Sequence, residues 1–252
     1  MSRLFTFGCS FTNYKYWTWA NILGTQYDEF QNWGQAGAGN SFIFHSVMEA
    51  DQRYRFGPGD TVIVCWTDIM REDRYIESRG WITLGNVAWA DNVYKKEFIE
   101  SGVCEQGNLL RDLNMIKAVY ELLHSRSDVT WKFLCMVPIN RLSDMDTRQI
   151  RRDDMMQLYG NALSEFQPSF IEVLGENYWL KDKQTRLAVD ASRDQYDYHP
   201  TTREHLKYLD TVLPGWMTNQ SVRDKIAQNP VVFESGLDGS CDVRRFKGTR
   251  LQ

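Results

Sequence analysis

The run Thr61–Trp66, TVIVCW, follows the turn residues Gly57-Pro58-Gly59-Asp60. It is apolar almost without interruption. A strand with one face in water alternates polar and apolar residues, whereas a strand covered on both faces does not. The run therefore predicts a buried strand between two layers of structure. Leu4–Phe7 and Trp131–Val137 have the same character, and Phe170–Leu174 is read the same way. Helical patterns lie between these runs, at Tyr16–Leu23, Ser41–Ala50, Asn108–His124, Arg151–Phe166 and Thr202–Leu213. The clearest is Asn108–His124, where Leu109, Leu113, Ile116, Val119, Tyr120 and Leu123 recur at helical spacing. Strands alternating with helices imply parallel strands and right-handed crossovers. The expected fold is α/β, a three-layer sandwich around a central parallel sheet.

Two stretches break the alternation. Residues 71–107 are polar and aromatic and include RGWITLGNVAWAD. They read as an insertion after the TVIVCW strand, a candidate lid or interaction surface carrying Tyr75, Trp81, Trp89 and Tyr94. From Asn229 the chain has little helical period and several glycines. The expected organisation is one α/β domain over residues 1–228, with residues 229–252 as an extended tail.

Composition excludes several classes. The net charge of −4 gives no electrostatic footprint for nucleic acid. The clusters Arg148, Arg151, Arg152 and Arg244, Arg245, Lys247 read as solvated surface. No apolar run approaches membrane-spanning length, so no membrane partner is expected. Arg3 is followed by too few apolar residues for a secretory signal. The five cysteines, Cys9, Cys65, Cys104, Cys135 and Cys241, are widely spaced and include no C-x-x-C pair. Reduced thiols and a cytoplasmic site of synthesis are expected, and no zinc ribbon. No metal-ligand spacing links His45, His124 and His205.

In an open parallel sheet, ligands bind outside the carboxyl ends of the strands, and three motifs fall there. Gly8-Cys9-Ser10 ends the first strand and puts Ser10 at the start of the following helix, whose N–H groups and dipole favour negative charge. The stretch NWGQAGAGNS, residues 32–41, has glycines that let the backbone approach closely, as an oxyanion donor loop needs. The stretch DYHPTTREH, residues 197–205, puts His199 just before a helix, with Asp197 two residues away to set the imidazole tautomer. A serine, a histidine, a carboxylate and a donor loop are the parts of an acyl-transfer site.

On these residues the chain resembles the SGNH, or GDSL-type, hydrolases. FGCSFT is similar to their first block, NWGQAGAGN to the second and DYHP to the last, in the right order. The resemblance covers roughly residues 1–70 and 190–213, and the blocks resemble those of members encoded by tailed phages more than those of secreted lipases. It implies a flavodoxin-like fold, Ser10 as nucleophile, His199 as base, Gly37 as oxyanion donor and Cys9 pointing into the protein. Asn40 is open between oxyanion donor and helix cap.

There are two departures. The family's third block, G-x-N-D, is replaced by CWTDIMRED, which leaves Thr67, Asp68 and Arg71 as candidates for the space of its asparagine. The family's D-x-x-H becomes D-x-H, so Asp197 serves from a different offset, or Asp194 does, or the site runs on a Ser–His dyad. The expected activity is hydrolysis of a small ester or of an acylated carbohydrate such as an O-acetyl sugar, with no metal or organic cofactor. The competing expectation is an SGNH-like scaffold without strong activity, kept for homo-oligomer or virion assembly.

Overall fold

In a computed structural model of the protein, the described residues are 1–87, 94–139, 157–175, 188–190 and 195–232. The chain runs β1 (Arg3–Phe7), α1 (Trp19–Gly24), β2 (Glu29–Asn32), α2 (Asn40–Tyr54) and β3 (Asp60–Trp66). It continues through β4 (Arg71–Ile76), β5 (Gly80–Asn86), α3 (Lys96–Gly102), α4 (Glu105–His124) and β6 (Thr130–Cys135). Short helices α5 (Gly160–Leu163) and α6 (Phe170–Leu174), strands β7 (Ala188–Asp190) and β8 (Gln195–Tyr196), and helices α7 (Thr202–Val212) and α8 (Gln220–Gln228) follow.

The central sheet has the order β2-β1-β3-β6, and every neighbouring pair is parallel. Counting only these strands, the order is 2-1-3-4, the start of the flavodoxin-like arrangement. All seven residues of β3 are buried, as its unbroken apolar sequence requires. Helices α2 and α4 pack on each other, and so do α1 and α7. With right-handed crossovers these two pairs cover opposite faces, giving the three layers.

Four features differ from the sequence expectation. Phe170–Leu174 is a helix, not a strand. Ser169 accepts the N–H of Glu172 while the Glu172 carboxylate accepts the Ser169 N–H, a reciprocal cap that outweighs the strand propensity of a five-residue apolar run. Sheet pairing beyond β6 occurs instead at Phe166, in a single parallel bridge to Phe133. The edge strand β2 and helix α8 lie where no element was expected. The insertion holds an antiparallel hairpin, β4-β5, followed by α3. Residues 140–156, Trp89, Asp194, Cys241, both basic clusters and residues 233–252 lie outside the described residues. Among the described residues no helix is long and apolar enough to cross a membrane.

The hairpin is docked on the domain by a buried carboxylate. Asp73 of β4 accepts the backbone N–H groups of Gly39 (2.9 Å) and Phe42 (2.8 Å), capping the start of α2 from another element. Burial pushes the Asp73 carboxyl up to about 6, against the opposing pull of those two N–H groups and of Arg111 and Arg71. A carboxyl with a raised folded pKa contributes stability that is fully present below its unfolded value near 4. That contribution is lost as pH rises through about 6. The stability of the native chain relative to Asp73→Asn is therefore expected to fall between pH 4 and 7, by up to about 3 kcal/mol. Urea denaturation at several pH values reads this slope, and a flat difference would contradict it.

Candidate active site

Because β1, β2 and β3 are parallel and adjacent, their carboxyl ends lie together, and the chain leaves β1 toward β2 but reaches β3 on its other side. The crevice at this switch point is where open α/β sheets bind ligands. A cleft of about 340 Å³ lies there. It is lined by Ser10, Phe11, Tyr14, Ala36, Gly37, Arg71, Leu84, Gly85, Asn86, Tyr198 and His199.

Ser10 does not start a helix, since α1 begins only at Trp19; it sits in a tight turn closed by Thr12 N–H and Asn13 N–H donating to the Cys9 carbonyl (2.9 and 3.1 Å). Gly8 makes the turn feasible. A Cβ there would lie 2.1 Å from Thr12 Oγ1 and 3.0 Å from the Cys65 carbonyl oxygen. Cys9 is fully buried with its Sγ 3.9 Å from Met136 Sδ, so the thiol faces the core and not the cleft. The second loop is knitted to the first. Asn32 Nδ2 donates to the Thr12 carbonyl (2.8 Å), Gln35 N–H to the Gly8 carbonyl (3.0 Å), and Asn13 Nδ2 to the Gly34 carbonyl (3.0 Å).

Gly37 has φ +75°, and a Cβ there would lie 2.3 Å from the Thr83 carbonyl oxygen of β5. Both the left-handed conformation and the contact exclude a side chain. Its carbonyl accepts Gly85 N–H at 2.8 Å. Among the described residues, neither Ser10 N–H nor Gly37 N–H donates to any acceptor. Two unused donors thus line the cleft with a hydroxyl.

Asp197 holds His199 from two directions. Its Oδ1 accepts the His199 backbone N–H at 3.0 Å and lies 2.8 Å from His199 Nδ1. An ionised carboxylate only accepts, so Nδ1 carries the proton and Nε2 is left as the basic nitrogen. The two-residue offset works because one carboxylate oxygen turns back to bond both groups of its own loop. Oδ2 takes Lys15 Nζ (2.8 Å) and Tyr14 Oη (3.1 Å). Burial acts to raise the Asp197 pKa, but the hydrogen bonds from His199 and Lys15 outweigh it and hold the carboxyl well below the usual range. Tyr14 also stacks on the imidazole, with ring centroids 3.9 Å apart. Burial and the adjacent Asp197 charge raise the Tyr14 phenol, so its proton stays on. Ser10 and His199 share the cleft but form no hydrogen bond with each other.

The candidates for the missing third block separate. Asn40 is fully buried and outside the cleft lining. Its Nδ2 donates to the Thr67 carbonyl (3.0 Å) and to Asp112 (2.6 Å), and its Oδ1 accepts Thr67 N–H (2.8 Å). Its amide is fully used in tying the start of α2 to the end of β3, so it neither caps a helix nor offers a donor to the cleft. Gly39 is the residue at the N-cap. Thr67 is likewise fully buried, with its hydroxyl against Met136 Sδ at 3.6 Å. Asp68 caps its own turn through Met70 N–H. Only Arg71 reaches the cleft. Tyr14 and Lys15 are the site residues that the sequence reading missed, since nothing in their spacing connects them to residue 197.

Fold and cleft together define an α/β protein with a serine, a carboxylate-held histidine and two unused N–H donors around one crevice. No family model matches the chain, and no curated protein matches it. Similar solved structures include a lipolytic protein of the G-D-S-L family from Veillonella parvula DSM 2008. It has TM-score 0.45 and 14% identity, over 85% of this chain and 98% of that one. LAE5, an α/β hydrolase from the metagenome of Lake Arreo, Spain, has TM-score 0.45 and 13% identity, over 86% and 97%. A catalytic mutant of Axe2, an acetylxylan esterase from Geobacillus stearothermophilus, has TM-score 0.43 and 11% identity, over 86% and 97%.

Proposed function

We propose that this protein is a serine-dependent ester hydrolase. One observation carries the reading: Ser10, the Asp197-held His199, and the unused Ser10 and Gly37 N–H groups all border one cleft. In the first step Ser10 Oγ attacks the ester carbonyl carbon while His199 Nε2 takes the hydroxyl proton. The carbonyl oxygen becomes an oxyanion held by the two N–H groups, which need no reorganisation as charge develops. Collapse breaks the bond to the alcohol, which leaves with the proton returned by the imidazolium. Water, deprotonated by the same nitrogen, then cleaves the acyl-serine. Asp197 keeps Nδ1 protonated throughout and stabilises the transient imidazolium. No step requires a metal or an organic cofactor.

The hairpin forms one wall of the cleft through Arg71, Leu84, Gly85 and Asn86, so it borders the acyl-transfer site as a lid would. Acylated carbohydrate is the natural substrate class for a cleft rimmed by Tyr14 and Tyr198, since flat rings stack on sugar faces. The test is labelling by a fluorophosphonate probe. The native chain is expected to label at Ser10, and His199→Ala is expected to slow labelling by roughly a hundredfold or more. Absence of labelling in the native chain would leave the binding-scaffold reading, which the commitment of Asn40 to Thr67 and Asp112 favours.

A further inference from the structure

The hydrogen-bond donors of Arg71 are incompletely used. Each neighbouring acid has partners of its own. Glu72 pairs with Arg111 (2.7 Å) and Arg74 (2.7 Å), Asp112 with Arg111 (2.7 Å) and Asn40, and Asp73 caps α2. Among the described residues no carboxylate pairs with Arg71. Of its five N–H donors, one nitrogen reaches a strong acceptor, Nη1 to the Ala38 carbonyl at 3.0 Å. Nη2 faces, among the described residues, only the thioether of Met136, at 3.3 Å, and the buried Nε has no partner among them. Among the described residues, Arg71 and His199 are the only ones lining the cleft whose side chains can carry a positive charge, and no acidic side chain lines it. Asp197, behind the imidazole, is already met by Lys15. Asp73 is the nearest counter-charge but spends its oxygens on the Gly39 and Phe42 N–H groups. A half-buried guanidinium with unused donors is costly, and its planar fork matches a carboxylate.

We propose that Arg71 anchors a carboxylate on the acyl side of the substrate, so that the cleft takes half-esters of dicarboxylic acids. This rests on the hydrolase reading above. The side is fixed by placement. Arg71 is tethered to Ala38, next to the oxyanion donor Gly37, whereas the leaving alcohol must lie toward His199, which protonates it. A carboxylate there accepts from donors that the protein leaves unused.

The experiment compares mono-4-nitrophenyl adipate with its neutral methyl-capped diester. The adipyl chain is long enough that its own carboxylate does not cleave the ester. The native chain is expected to favour the charged ester in kcat/KM by about tenfold or more, with the preference shrinking as salt is added. Arg71→Gln is expected to bring the ratio close to one, with most of the change in KM, and Arg71→Lys to retain part of it. An unchanged ratio in Arg71→Gln overturns the proposal. So does an equal loss on both esters, which would make Arg71 a third oxyanion donor instead. Binding of the charged half-ester to Ser10→Ala, followed by calorimetry with and without Arg71→Gln, separates the two readings. Arg71-dependent binding without turnover in the native chain sinks the hydrolase and keeps the anion site. Turnover of both esters with no preference does the reverse.

Discussion

Ser10→Ala is expected to lower kcat/KM for 4-nitrophenyl acetate by roughly a thousandfold or more, while Cys9→Ala keeps most of the activity. The contrast is informative because the two residues are adjacent and a thiol is intrinsically the better nucleophile. Position decides between them. Ser10 lines the cleft, whereas the Cys9 thiol is fully buried against Met136. The residual rate of Ser10→Ala should come from binding and the two N–H donors, which the substitution leaves in place. Circular dichroism and thermal melting should show both variants folded, since among the described residues the Ser10 side chain makes no hydrogen bond whose loss would be felt. An inactive Cys9→Ala variant, or a Ser10→Ala variant near native activity, would remove the nucleophile assignment.

Asp197→Asn is expected to cost a further measure of the same chemistry, roughly a hundredfold to ten-thousandfold in kcat. The carboxylate allows only one imidazole tautomer, because it can only accept from Nδ1. An asparagine can donate an amide N–H to Nδ1 instead, which places the ring proton on Nε2 and removes the lone pair that must take the Ser10 proton. The substitution also strips Lys15 and Tyr14 of the charge they converge on. The backbone bond from His199 N–H can survive to the asparagine oxygen, so the loop should keep its shape while turnover falls. Near-native turnover in Asp197→Asn would mean that the site runs as a Ser–His dyad.

The parts of the fold that were legible in the sequence are those where burial left no choice. Strand β3 is buried along its whole length and reads as a nearly unbroken apolar run, β1 and β6 show this over the part of their length that is buried, and helix α4 shows a long apolar stripe. Strand β2, Glu29–Asn32, sits at the sheet edge, and its Gln31 and Asn32 side chains serve hydrogen bonds, so its pattern resembles a loop. The five-residue run at Phe170 is too short for periodicity to separate helix from strand, and only the Ser169–Glu172 spacing held the answer. The hairpin β4-β5 pairs polar and aromatic residues over a half-exposed surface, which gives no alternation to read.

The site divides in a similar way. That Ser10, Gly37, Arg71 and His199 gather at one cleft was legible because strand ends in a parallel sheet converge, and the pairing of Asp197 with His199 because they are two residues apart. Asn40 and Thr67 lie outside the cleft lining, since sequence cannot say which polar groups are already satisfied inside the protein. Lys15 and Tyr14 were invisible for the converse reason: their partner is 182 and 183 positions away along the chain, and only the folded geometry joins them.

The bond from Gly85 N–H to the Gly37 carbonyl makes the hairpin more than a cover. One peptide unit of the second loop is fixed in orientation by strand β5, and the contact with Thr83 leaves no slack for it to shift. Whatever reshapes the hairpin therefore reshapes the loop that lines the candidate site along with its entrance. Under the proposed hydrolase reading, specificity and turnover are not separable traits in this architecture, and hairpins exchanged between proteins of this shape would have to travel with the loop they grip.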